Sequence, residues 1–415
     1  MPPKTKPPSI PKGMGRDALE FLEHHGFMAR TPAIRSSDYE SSLRCPFQYY
    51  LSRRLGLTPC LRWSEALSRG SWFHKRAEYW KDTQVVAETK MKYALEEREE
   101  ELKEICEARG IIGGSRESIL LREKKDMQTA TAWFEAASKF IIKEENGIKK
   151  SFIEVLERPW WRELCLECVL QYDHPEYGTL ITQPDILLYH KTQNKIWIVD
   201  FKTCAESPST RLQTCPIEFQ TQHYMFVAHY LIQEGTLQKH FDLPEDVEVG
   251  GMMHIAVQKP SIQFGSKDKD FDEKHHTLSR GPRKGQVEMR RTYHGEPKFS
   301  NYLKRIKDWY NSEGEYEHLA PERILDPPVN ISSTYFTPLD TTFAMQYHSR
   351  LCHIRRYATV DPAPGNFPLS VKNVSQHGKL SPFAPFYLSP VVDWPNIVQQ
   401  EGFLFEDRDR VESEF

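Results

Sequence analysis

No run in this 415-residue chain is long and apolar enough to cross a bilayer, which argues against a helical membrane protein. The first dozen residues, Met1 to Lys12, are rich in proline and lysine and lack the apolar stretch of a secretory signal, so they read as a disordered tail. Cysteine is sparse. Eight scattered cysteines make no disulfide framework and point to a reducing cytosol. Cys165 and Cys168 have CxxC spacing, but on a strand they face opposite sides and would not chelate one ion. An excess of charge of one sign is missing too. With a net charge of −3, the whole-protein field offers a polyanion little attraction, so any such binding has to come from local basic patches.

What is present is enough hydrophobic residue, 39%, to bury a large core. A helical pattern around Ala130 to Ile142 precedes three strand-like runs, Leu164–Gln171, Thr179–Tyr189 and Lys195–Thr203. A helix through Phe219–Ile232 and a further strand, Gly250–Gln258, follow. The order αβββαβ predicts an α/β fold with a mixed central sheet flanked by helices. Ahead of it, the charged stretch Val85 to Ile105, ending in a Gly-rich break at Gly110 to Gly114, reads as an inserted helical subdomain, or more plainly as a solvated helix hairpin. Trp160 and Trp161 read as core or interface packing.

The chemistry concentrates on one predicted hairpin. Asp185 and Asp200 lie equally far from a polar turn at Lys191 to Asn194, so antiparallel pairing brings them opposite each other. Asp200 and Lys202 project to one face, and Trp197, Val199, Phe201 and Thr203 to the other. Two carboxylates supply the hard oxygen ligands that Mg²⁺ prefers, and an ammonium beside them can orient water or offset charge on a phosphorane. That trio outlines a phosphodiester-cutting metal site. A second feature is the polar segment Ser266 to His276, read as mobile, with the cations Arg280, Arg283, Lys284, Arg290 and Arg291 close to Tyr293. Such a stretch can bind phosphates and stack a base. His275 and His276 form no metal pattern by themselves.

Pro184-Asp185 followed by Asp200-Phe201-Lys202-Thr203 resembles the signature of the PD-(D/E)XK nuclease superfamily, in its RecB-like branch of phage and CRISPR-associated exonucleases. Upstream, Cys45-Pro46 with Tyr49, Tyr50 and Leu55-Gly56-Leu57 resembles that branch's N-terminal segment. Gly70 to His74 resembles its Gly-x-x-x-His motif. Downstream, Gln220 to Tyr224 resembles its Gln-x-x-x-Tyr motif, and Glu167 takes the place of an acidic residue on the first core strand. The motifs keep the family's order from about Ser42 to about Lys259.

The resemblance implies a restriction-endonuclease-like core and Mg²⁺ or Mn²⁺ held by His74, Asp185, Asp200 and the Phe201 carbonyl. Lys202 would position water, Glu167 would join the catalytic acids, and Gln220 and Tyr224 would shape the DNA-facing cleft. It implies a metal-dependent deoxyribonuclease, an exonuclease acting from DNA ends in recombination, repair or phage DNA processing. The alternatives are a structure-specific endonuclease and a non-cleaving DNA-binding or assembly protein that keeps the fold. Expected partners are DNA and a recombinase, annealing protein or single-strand-binding protein, in the cytoplasm of a bacterial or phage-infected cell. Relatives often hold an iron–sulfur cluster on four cysteines. Here Cys45 persists, but the C-terminal segment carries Ser375 and Ser381 where thiolates would be needed, so no cluster is expected. The resulting plan has a lead-in over 1–35, the start of the nuclease domain over 36–82, the helical insertion over 83–127, and the core over 128–312 with a basic loop at 260–295. A C-terminal segment over 313–405 then packs on the core, ahead of an acidic tail over 406–415. By analogy, the insertion would arch over the DNA path.

Overall fold

A computed structural model describes residues 16–27, 31–58, 65–108, 111, 113–143, 149–277, 280, 287–337, 341–359, 367, 375–376, 379–389, 391–401 and 403–405. Its main helices are α1 (Arg16–His24), α2 (Glu65–Ala77), α3 (Gln84–Ala108), α4 (Gly114–Lys139), α5 (Phe219–Gln233), α6 (Phe299–Asn311) and α7 (Thr341–Thr359). Its main strands are β1 (Trp161–Leu166), β2 (Leu170–His174), β3 (Gly178–Thr182), β4 (Ile186–His190), β5 (Lys195–Cys204), β6 (Glu248–Gln258), β7 (Asp270–Thr277), β8 (Val287–His294) and β9 (Val329–Tyr335).

The central sheet has the order β9-β6-β5-β4-β1. β5 and β6 run parallel, joined through α5, and the other pairs are antiparallel, which gives the expected mixed sheet. Alternation along β5 divides its side chains between two cores. Trp197, Val199 and Phe201 enter one with Phe73, Phe134 and Phe152, while Ile196 and Ile198 enter the other with Met225 and Phe226 of α5. Phe201 sits at 5.7–6.4 Å centroid distance from Phe73, Phe134 and Phe152. Each such buried ring contributes about 1.5–3 kcal/mol, so the backbone on either side of Phe201 is firmly anchored.

Two of the expected strands are each divided. Leu164–Gln171 breaks at Glu167, and Thr179–Tyr189 breaks around Gln183 to Asp185. The pieces beyond each break, β2 and β3, form a separate small sheet in which the short strand Ile34–Arg35 pairs parallel with β3. Apolar alternation runs through both breaks, and that is why periodicity alone joined the pieces. The Ser266 to His276 stretch is likewise not loose: β7 and β8 form an antiparallel hairpin in continuous register from Asp270↔His294 to Thr277↔Val287.

α4 runs unbroken across the expected boundary at residue 127, carrying buried Trp133, Phe134 and Ala137 into the sheet core. Its N-terminal half is tied to α2. Trp72 donates to Glu123 at 2.9 Å, and Arg69 pairs with Asp126 at 2.7 Å. The described part of the lead-in is folded: Phe21, Leu22 and Phe27 share a core with Cys45, Tyr50, Phe383, Phe386 and Trp394, while residues 1–15 lie outside the described residues. In that core the Cys45 sulfur meets the Tyr387 hydroxyl, and Gln48 donates to Ser381. Thus the segment expected to resemble a cluster site joins the N- and C-terminal parts by packing and hydrogen bonds. The Ser375 side chain, like Cys60 and the acidic tail, lies outside the described residues.

Candidate active site

The pairing of β4 with β5 places Ile186 opposite Val199, so Asp185, one residue before β4, stands opposite Asp200. Pro184 and the strand break turn Asp185 inward. Its Oδ2 accepts from the Phe201 backbone N–H at 2.5 Å, and its Oδ1 meets Nδ1 of His74 at 2.8 Å. His74 lies in the last turn of α2. A Cβ placed on Gly70, one turn earlier, would lie 3.8 Å from Thr203 Oγ1, so α2 crosses beside the end of β5 and presents His74 to the strand break.

Glu167 is not on an alternating strand. It occupies the kink between β1 and β2 with φ of 49°, a left-handed conformation that costs an ordinary residue of order 1 kcal/mol. Two hydrogen bonds hold it there: its N–H donates to the Asp185 carbonyl at 3.0 Å, and Gln183 Nε2 donates to its carbonyl at 3.1 Å. The kink turns its carboxyl toward Asp185. One ligand atom each from His74, Glu167 and Asp185 lies within 4.8 Å of the others. Cys165 and Cys168 flank this kink and are joined by a disulfide. The expectation that they diverge failed because it assumed one straight strand.

Asp200 and Lys202 do share a face, 2.9 Å apart. Lys202 Nζ also donates to Gln220 Oε1 at 2.6 Å, and Gln220 Nε2 donates to Asp200 at 3.2 Å and to the Tyr224 hydroxyl at 3.1 Å. Tyr224 donates in turn to the Gln183 carbonyl at 2.9 Å. Being only 5% exposed, Tyr224 faces this network and not an open cleft, which corrects its expected place.

Two nearby residues escaped the sequence reading. His254 of β6 is fully buried in register with Asp200, its Nδ1 3.6 Å from Oδ2 and its Nε2 3.3 Å from Thr221 Oγ1. Thr221 donates to the Cys215 carbonyl at 2.6 Å, which leaves its oxygen to accept from His254. The signal was a lone polar residue within the apolar run Gly250 to Val257. Glu78, paired with Lys75 at 2.7 Å, is the other; its pKa is raised by burial, partly offset by Lys75, with Asp185 adding to the rise. Of the four basic residues expected to touch nucleic acid, Arg283 and Lys284 lie outside the described residues. Arg290 and Arg291 are on β8, and Arg291 is held by Glu273 at 2.9 Å and stacks 4.5 Å over Phe271.

The electrostatics follow from this crowding. Burial alone would lower the His74 pKa, but Asp185 against the ring, with Asp200 and Glu167 behind it, pushes it up to about 9. Burial and the neighbouring Asp185 push the Glu167 carboxyl up to about 9. Burial would also raise Asp200, yet Lys202 and His254 hold it well below the ordinary carboxylate range. Lys202 is raised although burial opposes this, because Asp200 stabilises its charge.

The sequence model of the PD-(D/E)XK nuclease superfamily matches residues 36–315. The chain belongs to that superfamily. The match spans α2, the strand breaks, the Asp-x-Lys strand and α5, so the residues brought together here fall inside the shared nuclease region. PD-(D/E)XK nucleases use divalent metals such as Mg²⁺, and an imidazole with two carboxylates at this spacing fits a divalent cation. No curated protein matches the chain. No described helix is long and apolar enough to cross a membrane.

Proposed function

We propose that this PD-(D/E)XK nuclease is a Mg²⁺- or Mn²⁺-dependent deoxyribonuclease of the RecB-like branch that works from DNA ends. The observation that carries the reading is the convergence of His74, Glu167 and Asp185 beside an Asp200–Lys202 pair on the neighbouring strand. His74, Asp185, Asp200 and the Phe201 carbonyl would hold the cation, with Glu167 beside them. Held there, a divalent cation would polarise the phosphoryl oxygen and make hydroxide available at neutral pH. Lys202, whose side chain keeps 15% exposure, is reachable by substrate and carries a fixed positive charge to the scissile phosphate. Gln220 aims that ammonium, and Tyr224, through Gln220, holds the aim. His254 and Thr221 back Asp200 from the interior.

Phosphate contacts away from the site would come from the β7–β8 hairpin, with Arg290, Arg283 and Lys284. Arg291, already paired with Glu273, would serve to hold Phe271 and Tyr293 in place. Recombination, repair or phage DNA processing is the expected setting, with a recombinase, annealing protein or single-strand-binding protein as partner. The deciding assay compares linear with closed circular DNA, with and without Mg²⁺ or Mn²⁺. Degradation of linear DNA only, and only with metal, is the expected result. Cutting of closed circles would assign an endonuclease, and no cutting under any condition would leave a binding protein.

A further inference from the structure

Past the end of β5, two lysines and an exposed aromatic ring lie on one stretch of surface. The Lys259 N–H donates to the Cys204 carbonyl at 2.7 Å, so Lys259 stands beside a residue two positions beyond Lys202. Arg69 of α2 and the exposed Glu206 both act electrostatically on its ammonium. Arg69 is itself paired with Asp126 of α4 at 2.7 Å. The preceding residue on that helix, Lys125, carries its Nζ to 5.7 Å from the ring centroid of Phe264 and 5.9 Å from that of Phe299. Neither Lys125 nor Lys259 pairs with a carboxylate among the described residues.

Phe264 is 44% exposed, yet the turn that follows it is locked. Asp268 is fully buried there: Oδ2 accepts from the Gly265 N–H at 2.7 Å, Oδ1 from Arg305 at 2.8 Å, and its carbonyl from the Lys298 N–H at 2.8 Å. The Phe264 ring meets Phe299 and Tyr302 at 5.9 Å with interplanar angles of 65° and 78°, so neither ring stacks on it. A phenylalanine needed only for packing would be buried, whereas this one is held in water by a rigid turn. β7 begins at Asp270, so the patch continues directly into the hairpin that carries Arg290.

Cations that follow a sugar–phosphate backbone, together with an aromatic ring on which a base can lie, are the means by which proteins hold single strands. A closed duplex keeps its base faces stacked on one another and offers none to Phe264. We propose that Lys259, Lys125 and Phe264 form a track for the single-stranded part of a DNA substrate, with backbone phosphates on the two lysines and a base stacked on Phe264. The inference rests on the deoxyribonuclease reading for the choice of DNA and deepens it by naming the strand state that runs past β5.

Fluorescence anisotropy of the full chain in EDTA reads binding without cleavage, using a labelled single strand of mixed sequence and a blunt duplex of the same length. Phe264→Ala should weaken the single strand about tenfold, within the range for loss of one stacking ring, and change the duplex less than about twofold. Phe264→Trp should bind the single strand at least as well as wild type. Replacing Lys125 and Lys259 together by Gln should flatten the salt slope for the single strand by about 1.4, at roughly 0.7 per phosphate contact. Unchanged affinity in Phe264→Ala, an equal loss for both DNAs, Phe264→Trp as weak as Phe264→Ala, or an unchanged salt slope would each overturn the proposal. Should circular dichroism show that Phe264→Ala does not fold, the salt slope decides. These results are independent of cutting: a chain that binds single strands in this way but cleaves nothing with Mg²⁺ or Mn²⁺ would keep the track and lose the nuclease reading, and a metal-dependent nuclease indifferent to Phe264→Ala would do the reverse.

Discussion

Asp185 and Asp200 stand opposite each other in one strand register, yet their surroundings differ. Around Asp185 gather Glu167, His74 and, further out, Glu78, and burial together with this crowding of acids keeps Glu167 protonated up to about pH 9, as Asp185 does for His74. Around Asp200 stand Lys202, Gln220 and His254, which hold its carboxylate ionised. One half of the site holds more acids than its single imidazole can balance, and in the other a lysine stands against one aspartate. On the proposed reading, the difference would let two aspartates on one hairpin take different work: the crowded half would favour an incoming metal, and the other would fix an ammonium where phosphate charge grows.

The sharpest way to break this comparison is to neutralise each aspartate in the metal-free protein. Asp200→Asn removes the partner of a largely buried lysine, a change that typically costs about 3–5 kcal/mol. Asp185→Asn removes repulsion with Glu167 along with the His74 contact, so its loss should be much smaller. Urea unfolding in EDTA measures both. Equal losses would mean that the two halves do not differ electrostatically as described.

Next in size is an effect on rate. Lys202→Gln keeps a donor for Asp200 but removes the charge, so kcat should fall by about 10²–10³-fold, as when a preorganised donor to a developing anion is deleted. Mn²⁺ affinity should stay within a few-fold by calorimetry, because Lys202 is not among the proposed ligands. A large loss of Mn²⁺ affinity in this variant would merge the two halves into one.

The pH dependence sharpens the Asp185 half. His74 and Glu167 both have folded values near 9, above their ordinary values of 6.5 and 4.5. A raised folded value contributes stability that is complete below the ordinary value and is lost as pH climbs through the folded one. From these two groups, the metal-free protein should therefore lose stability as pH climbs from 4.5 to 9, with His74 adding to the loss above 6.5 and a drop in Tm on the order of a few °C. Mn²⁺ should flatten the decline by displacing the protons, and calorimetry in buffers of different ionisation enthalpy should register their release. A Tm that rises with pH in EDTA would contradict the crowding of acids around Asp185.

Much of this site could be read from the chain because it rests on local rules. The distances of Asp185 and Asp200 from one turn set their register, and the two-residue period put Lys202 beside Asp200. Gln220 and Tyr224 fell on one helix face through their four-residue spacing. What escaped depends on where regular structure stops. Periodicity carried the strand through Glu167, whose left-handed kink is held by Asp185 and Gln183 from another part of the chain. His254 was missed because a histidine in an apolar strand acquires meaning only when the β5–β6 pairing puts it behind Asp200. The β7–β8 hairpin was taken for a loop because its strands are polar on both faces.

The smallest effect concerns what holds that kink. The Cys165–Cys168 bond closes a loop of only four residues, for which the chain-entropy account allows about 2 kcal/mol of stabilisation at most. Glu167 is held independently by its N–H on the Asp185 carbonyl and by Gln183 on its own carbonyl, and neither bond involves a cysteine. Replacing both cysteines by serine should then lower stability by no more than that amount and change Mn²⁺ affinity less than about threefold, or some 0.65 kcal/mol at 1.36 kcal/mol per decade. Gln183→Ala, which removes one of the two hydrogen bonds and leaves the disulfide in place, should weaken Mn²⁺ more than the double serine variant does. The opposite ranking would place the geometry of Glu167 under the control of the disulfide, and the Asp185 half of the site would then respond to the redox state of its surroundings while the Asp200 half would not.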